Sequence, residues 1–313
     1  MALVIGTREG VFRSADGSLG DAEWVLDAGD TPRVRAVPDH GVFAATRTGL
    51  YRSTDEESTW ERLEIPREEV FSVVASPDGE SVLAGTHPAH LYRSADGGES
   101  WEELEGFQDL PSREEWYTPR HRNEAHIRSL GVHPGAPDRV VAGVEVGGVH
   151  VSEDGGETWN ERRDGLHDDI HHVLVRGPEE YVASCGGGLY ATTDAGRSWR
   201  RLDSDLDHRY FREAVAQDGR LYAAAARGPP GTWSGESGAD AAIFESIDDN
   251  NTFDSIAYPG GPEEFVLAWT VLDGRVLAGT SGGRVFARES DDWETLGEVP
   301  ATVRSLTASA TPA

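Results

Sequence analysis

A short strand pattern recurs seven times along this chain of 313 residues, and the repeat restricts the possible folds more than any other feature. Most copies read as an apolar strand that ends in Ser or Thr, as in Gly49-Leu-Tyr-Arg-Ser53. The copies begin at residues 10, 49, 90, 148, 188, 242 and 283, so four spacings are 39 to 41 residues and two are 58 and 54. A period near forty residues, with about four strands in each copy, is typical of the blades of a β-propeller.

The repeat predicts an all-β fold, a seven-bladed propeller formed by residues 1–313 as a single domain. The predicted blades are residues 3–27 together with 302–308, then 33–64, 70–105, 126–163, 170–203, 210–257 and 264–297. The chain begins with a second strand at residues 3–7 and ends with an unpaired first strand at residues 302–307. If this last strand completes the first blade, the ring closes and no strand edge is exposed.

A turn motif of the form Ser/Thr-x-Asp-x-Gly-x-Ser/Thr-Trp follows most of the third strands. Complete copies occupy residues 94–101, 152–159 and 192–199, partial copies occupy 53–60 and 246–253, and the first and last copies are degenerate. The carboxylate accepts backbone N–H bonds across the turn, the glycine supplies a positive φ, and the Trp fills the space beneath the hairpin. We therefore predict structural roles for the aspartates of the motif: Asp55, Asp96, Asp154, Asp194 and Asp248.

The turn motif resembles the Asp-box (BNR) repeat of sialidases, sortilin-type receptors and photosystem II assembly-factor propellers, and the resemblance covers nearly the whole chain. It implies that the Asp and Trp residues stabilise hairpins and contact no ligand. The photosystem II stability/assembly factors have seven blades and an arginine-rich patch, whereas sialidases have six blades. The resemblance to the assembly factors is thus the better one, and it implies a non-catalytic binding or assembly protein.

The composition excludes some classes of partner. The chain has 28 Lys+Arg against 56 Asp+Glu, a formal charge of −28, and no lysine, which favours a halophilic source over an ordinary acidic protein from a GC-rich genome. Such a surface does not suit sequence-independent nucleic-acid binding. A single cysteine, Cys185, excludes an internal disulfide framework, and we find neither a secretion signal nor an apolar run long enough for a membrane. We expect a cytoplasmic monomer without a cofactor.

The two long spacings indicate insertions, at residues 105–125 and 228–241. Because strands alternate in direction within a blade, the Asp-box turns all lie on one face of the propeller and both insertions lie on the other. Long loops on one face of a propeller commonly form a binding surface. The insertion face is therefore the predicted working face, although passive decoration remains an alternative.

Aligning the predicted innermost strands gives one column of residues near their starts: Arg35, Phe71, Arg128, His171, Arg212, Leu267 and Arg304. Four arginines and a histidine around a channel mouth predict a site for an anion, since guanidinium groups bind carboxylate, sulfate or phosphate in a bidentate manner. Further candidates for ligand binding on this face are His126, His208 and Arg209. The alternative is an internal salt-bridge network with nearby carboxylates: Glu124, Glu145, Asp168, Asp169, Glu213 and Glu264.

A second function remains open, a glycoside hydrolase or lyase acting on an anionic saccharide. Its candidates for proton transfer are Tyr210, Glu213 and His171. Tyr210 and Glu213 have an odd spacing along a strand, which argues against the carboxylate-activated tyrosine of sialidases. A site with three imidazoles is conceivable, but the histidines have no diagnostic spacing, so we predict no metal. The predicted partner is an anionic small molecule, an acidic saccharide or a protein.

Overall fold

Seven antiparallel sheets of four strands surround a central channel in the computed structural model, which describes residues 1–233, 238–246, 252–290 and 292–309, apart from the side chain of Arg120. The first strand of every sheet lines the channel. The predicted seven-bladed propeller is thus confirmed. None of the helices in this part of the chain is long and apolar enough to cross a membrane.

Within each blade the strands follow one another outward from the channel. Blade 1 consists of β28 (Val303–Ser309), β1 (Ala2–Thr7), β2 (Val11–Ser14) and β3 (Glu23–Leu26), and blade 2 consists of β4 (Arg33–Val37), β5 (Gly41–Thr46), β6 (Gly49–Ser53) and β7 (Glu61–Leu63). Blade 3 consists of β8 (Val70–Ala75), β9 (Val82–Thr86), β10 (Leu91–Ser94) and β11 (Glu102–Glu103). Blade 4 consists of β12 (His126–His133), β13 (Ala136–Glu145), β14 (Gly148–Ser152) and β15 (Asn160–Glu161). Blade 5 consists of β16 (Ile170–Val175), β17 (Tyr181–Cys185), β18 (Gly188–Thr192) and β19 (Arg200–Arg201). Blade 6 consists of β20 (Tyr210–Gln217), β21 (Arg220–Ala226), β22 (Ala242–Ser246) and β23 (Phe253–Ile256). Blade 7 consists of β24 (Val266–Leu272), β25 (Arg275–Thr280), β26 (Arg284–Glu289) and β27 (Asp292–Glu298).

The last strand closes the ring. β28 pairs antiparallel with β1, from Ala2 opposite Ser309 to Thr7 opposite Val303, and it forms the inner edge of blade 1. β1 is fully buried, because it lies between β28 and β2 and packs against both neighbouring blades. The predicted closure by the C-terminal strand is confirmed, and it removes the edge that β1 would otherwise expose.

The described residues of the apolar core form seven clusters, and each cluster contains residues of two neighbouring blades. Small residues at the ends of the second strands allow the blades to approach closely near the channel. At Gly85, for example, a Cβ atom would lie 2.6 Å from a methyl carbon of Ile127 in the next blade. No blade buries its apolar surface alone, so the stability of each blade depends on both neighbours.

The complete copies of the turn motif share one hydrogen-bond pattern. In the copy at 152–159, Asp154 accepts the backbone N–H of Thr158 at 2.9 Å and the Ser152 hydroxyl at 2.8 Å. The Ser152 oxygen in turn accepts the N–H of Gly156 at 2.8 Å. Asp96 and Asp194 make the same contacts, Asp55 accepts the N–H of Thr59, and Asp248 lies outside the described residues. Hydrogen bonds, the Ser198 hydroxyl first, lower the pKa of Asp194 to about 2.

The insertion after blade 3 is held by an aromatic cluster. It contains three short 3₁₀ helices, at Glu105–Phe107, Arg113–Glu115 and Pro119–His121. Trp116 of the insertion packs on the His150 ring of β14 with centroids 4.8 Å apart, and Phe107 packs on the same ring. His150 is fully buried, and its Nε2–H donates to the carbonyl of Gly147 at 3.1 Å. Burial lowers the pKa of His150 to about 3.

The second insertion lies in the connection between β21 and β22. It contains the 3₁₀ helix Pro230–Thr232, and residues 234–237 of it lie outside the described part. Trp233 packs edge-on against Tyr210 and Phe265, with centroid distances of 6.0 and 5.5 Å. Tyr210 starts an innermost strand, so this insertion covers the same end of the channel wall as the first one.

We predict that Ser152→Ala lowers the free energy of unfolding by about 1–3 kcal/mol, because the buried N–H of Gly156 loses its acceptor. Urea unfolding measures the change. Thr54→Ala is the control, since Thr54 is exposed at the variable second position of another copy of the motif. Equal stability of the two variants would contradict the assigned role of the serine.

The low pKa of His150 predicts a specific acid sensitivity. Above pH 6.5 the ring is neutral in both states, whereas below it only the unfolded chain takes up the proton, so this contribution to stability falls until the pH reaches about 3. Between pH 7.5 and 5.0 the wild type should lose about 2 kcal/mol more than His150→Phe. Urea unfolding at constant salt tests this, and parallel pH profiles would refute it.

Candidate functional site

Six of the seven innermost strands carry a register shift at the same height. In five blades the shift leaves one residue of the innermost strand without a partner in the second strand, as in a β-bulge, and in blade 6 it leaves two, Arg212 and Glu213. The skipped positions contain Phe71, Arg128, His171, Arg212, Leu267 and Arg304. Six of the seven residues in the predicted column therefore occupy equivalent positions, because each lies in the bulge of its own blade.

Blade 2 is the exception: its innermost strand has no bulge, so Arg35 does not lie at the position that the alignment predicted. β4 pairs with β5 without a shift, so Val34 faces Ala44 in the way that Val73 faces Ala84 in blade 3. The prediction had aligned Val34 with Val70. Pro32 consequently takes the place expected for Arg35, which lies further along the channel.

Five residues of the bulge column, all except Leu267, line a small cavity, which we call the upper cavity. Its volume is about 20 Å³. Its walls are Pro32, Arg33, Phe71, Arg128, His171, Arg212, Glu213 and Arg304. A space of this size holds one water molecule or one functional group of a larger molecule.

An ion pair crosses the channel below the upper cavity. Arg33 of blade 2 donates through Nη2 to Glu213 Oε1 of blade 6 at 2.7 Å, and both side chains are largely buried. The same two residues line a second, lower cavity of about 300 Å³, where Arg35, His172 and Trp269 also lie. The pair thus separates the two cavities, and the attraction of Arg33 is a main reason why the pKa of Glu213 stays below its ordinary value despite burial.

The arginines differ in how they are neutralised. Arg128 Nη1 donates to Glu145 Oε2, and Arg304 Nε lies 3.2 Å from Asp30 Oδ1. Among the described residues, Arg212 and Arg35 have no carboxylate at ion-pair distance. Burial lowers the pKa of Arg35 and of Arg304 to about 10, so both remain charged at neutral pH.

Three histidines cluster beside Phe71 where the first insertion meets the ring. The His126 ring lies 4.1 Å from the Phe71 ring and 4.7 Å from the His121 ring, and His87 Nε2 donates to the His121 carbonyl at 3.0 Å. His126 Nε2 is 3.2 Å from Glu145 Oε2. Burial lowers the pKa of His126 to about 4, although Glu145 opposes the shift.

Two of the predicted proton-transfer residues lie together. His171 packs edge-on against Tyr210 with centroids 4.7 Å apart, and its Nδ1–H donates to the Phe211 carbonyl at 2.5 Å. The other ring nitrogen of His171, Nε2, lies 3.6 Å from Asp169 Oδ1. Arg212 donates to the Tyr210 hydroxyl at 3.4 Å. Burial lowers the pKa of His171 even though Asp169 opposes it, which leaves a neutral imidazole beside a tyrosine.

Two predicted ligand-binding residues do not reach the two cavities. His208 Nε2 donates to the Asp240 carbonyl at 2.8 Å, and Arg209 donates to the carbonyl and the carboxylate of Asp203. These contacts hold the connections before β20 and β22. Sequence reasoning missed Arg33 and Asp30, and the proline at position 32, which has no N–H for pairing, was the one signal that blade 2 starts differently.

Known proteins resemble this chain in sequence and in fold. No protein-family model matches the chain. A curated relative, the photosystem II assembly lipoprotein Ycf48 of Synechococcus sp. strain CC9902, is 23% identical over 269 residues, which is 82% of this chain and 72% of the relative. A solved structure titled YCF48 bound to D1 peptide covers 94% of this chain and 83% of that chain, with a TM-score of 0.61 and 15% identity.

A GH74 enzyme from Niastella koreensis is also similar in structure. Its TM-score is 0.64 at 17% identity, over 85% of this chain, and the chain spans only 45% of that enzyme. At such identities the structural matches show the propeller fold alone. The chain is thus similar to Ycf48 assembly proteins in sequence and shares a fold with proteins of several activities.

We predict that Glu213→Gln destabilises the fold by about 3–5 kcal/mol, because it leaves the Arg33 guanidinium buried without its partner. Replacing both partners, as Arg33→Met with Glu213→Leu, should recover most of the loss. Urea unfolding of the three proteins provides the test, with the exposed Glu298→Gln as control. A single variant as stable as the wild type would show that the cross-channel pair is not required.

Proposed function

We propose that this chain is an Asp-box propeller of the binding or assembly type, whose upper cavity receives an anionic group of a protein partner. Arg128, Arg212 and Arg304 would bind the anion from three blades, with His171 beside it. The single observation that carries the proposal is Arg212, a guanidinium without a carboxylate at ion-pair distance among the described residues of a chain with a formal charge of −28. In so acidic a protein, an arginine at a channel wall that has Glu213 nearby but no carboxylate at ion-pair distance has room for a counterion from outside.

The size of the upper cavity favours a protein partner over a saccharide. About 20 Å³ admits a carboxylate but not a sugar ring, so the rest of the ligand would lie on the insertion face. The similarity to Ycf48 agrees with this, since one solved YCF48 structure holds a D1 peptide. We infer that the bound group is a side-chain or C-terminal carboxylate of a polypeptide.

The glycoside hydrolase or lyase acting on an anionic saccharide remains the second candidate. The observation that favours it is the contact of His171 with Tyr210 and Asp169, which would supply a neutral base and a phenolic acid at one place. For this reaction the saccharide would have to displace the second insertion, whose Trp233 covers Tyr210. Anionic small molecules in the lower cavity form a third possibility, with Arg35 as the group that binds them.

The wild-type protein should capture a polypeptide partner from an extract in molar salt, and the variant Arg212→Gln/Arg304→Gln should capture at least about 30-fold less. Isothermal titration with synthetic peptides of that partner should then give tighter binding for a free carboxylate than for its amide. The control is Arg197→Gln, which removes a charge on the opposite, Asp-box face. Equal capture of the partner by all three proteins would contradict the proposal.

A screen for turnover distinguishes the glycoside hydrolase or lyase from the proposed binding protein. Oligouronates and sialosides are incubated with the protein in molar salt, and reducing ends and unsaturated products are measured. Turnover that disappears in both His171→Ala and Tyr210→Phe would replace the binding function with catalysis. A halophilic source, a cytoplasmic location and a monomeric state stay predictions.

A further inference from the structure

We propose that His121, His126 and Glu145 form a binding site for a divalent transition-metal ion of the zinc type. The site lies where the first insertion meets blade 4, beside the upper cavity. It does not depend on the proposed capture of a partner, because neither Arg212 nor Arg304 is one of the three residues.

The spacing of the three side chains matches the needs of a tetrahedral ion. His126 Nε2 is 3.2 Å from Glu145 Oε2, and His121 Nε2 is 3.7 Å from Glu145 Oε1. One ligand atom from each residue lies within 4.8 Å of the other two. Metal–ligand bonds of about 2.0–2.2 Å in a tetrahedron place ligand atoms about 3.3–3.6 Å apart, so both distances to the Glu145 carboxylate are close to what an ion requires.

Rigid elements supply two of the ligands. His126 starts β12 and Glu145 ends β13, and the two residues face each other directly in the antiparallel register. His121 comes from the last 3₁₀ helix of the insertion. The Thr118 hydroxyl donates to the backbone carbonyl of Glu145 at 3.1 Å, so the insertion is fixed to the strand that carries the carboxylate.

His126 indicates that a ligand is missing from the described contacts. Its side chain is fully buried; Nδ1 has no hydrogen-bond partner among the described residues, and the neighbour of Nε2 is the Glu145 carboxylate, with Oε2 3.2 Å away. Burying a polar group without a partner is costly. An ion bound through Nε2 would satisfy the nitrogen that points at Glu145, while the Phe71 ring fixes the plane of the imidazole from the side.

The charges around the site are of both signs: Arg47 and Arg128 act on His121 as cations, and Glu145 and Asp169 supply negative charge. Arg128 already contacts Glu145 Oε2, and carboxylates that bind metal ions commonly keep such a second partner on one oxygen. Asp169 adds a negative charge, since it lies with Glu145 and His171 in a second group whose ligand atoms are within 4.8 Å. His171 is bonded to the Phe211 carbonyl through Nδ1, so we assign the ion to the first group, where two imidazoles face one carboxylate and His126 Nδ1 has no partner among the described residues.

The donor set specifies the kind of ion. Two imidazole nitrogens and one carboxylate oxygen suit zinc and its first-row neighbours better than calcium or magnesium, which prefer oxygen ligands alone. Three protein ligands leave a fourth position free for water or for an oxygen of a bound molecule. Such a site would give the insertion a function beyond covering the channel wall.

The test measures metal binding directly in molar salt, which suppresses weak binding to surface carboxylates. Protein stripped with a chelator is dialysed against Zn²⁺, and the bound ion is counted; Co²⁺ is then added in its place and the visible spectrum is recorded. We expect one ion per chain and the intense absorption of four-coordinate cobalt. His121→Ala and His126→Ala should each weaken binding at least about 100-fold, whereas His133→Ala, at the other end of β12, should leave it unchanged.

Binding below one ion per chain, or binding that survives both histidine substitutions, would overturn the site. If His126→Ala fails to fold, His121→Ala decides the question, because His121 lies outside the sheets. The arginine variants test capture of a partner and the histidine variants test the metal, so failure of either proposal leaves the other distinguishable.

Discussion

The pairing of β28 with β1 is the contact on which the rest of the structure depends. It joins the two ends of the chain in one sheet, from Ala2 to Thr7 on one strand. Each of the seven apolar clusters spans two neighbouring blades, so an open ring would leave one cluster without half of its residues. Closure also fixes the seven innermost strands around one axis, and only then do residues such as Arg128 and Arg304, far apart in sequence, line a common cavity.

Within the closed ring, the bulges decide which side chains meet. A bulge leaves one residue of the innermost strand outside the regular pairing, and six blades place a residue there at the same height. Blade 2 lacks the bulge, and Arg33 falls where it can reach Glu213 on the far side of the channel. One irregularity in the repeat therefore divides the channel into two cavities with different arginines.

The fold could be predicted because its signals are local. The period of the repeat, the turn motif and the orphan strands at the two ends each depend on residues close together in sequence. The bulge column was also predictable, since six blades share the same extra residue and stay aligned. Arg35 was misplaced because Pro32 is the one sign in the sequence that blade 2 lacks the bulge. The Arg33–Glu213 pair could not be predicted because it joins residues 180 positions apart. His126 and Glu145 were noted separately, but their pairing follows from a register that the same bulge sets.

The charge of the chain would limit how the proposed anion site selects a ligand. In the molar salt that the lysine-free composition predicts, the Debye length falls to about 3 Å, so the field of 56 acidic residues hardly reaches past a contact. Neither attraction nor repulsion at long range then guides a partner. Selection must come from groups that salt cannot screen, which are those enclosed by protein. In the proposed site, the partly buried Arg212 and Arg304 at the upper cavity would come closer to this condition than the ion pairs on the outer strands, and this favours an anion site on the channel wall.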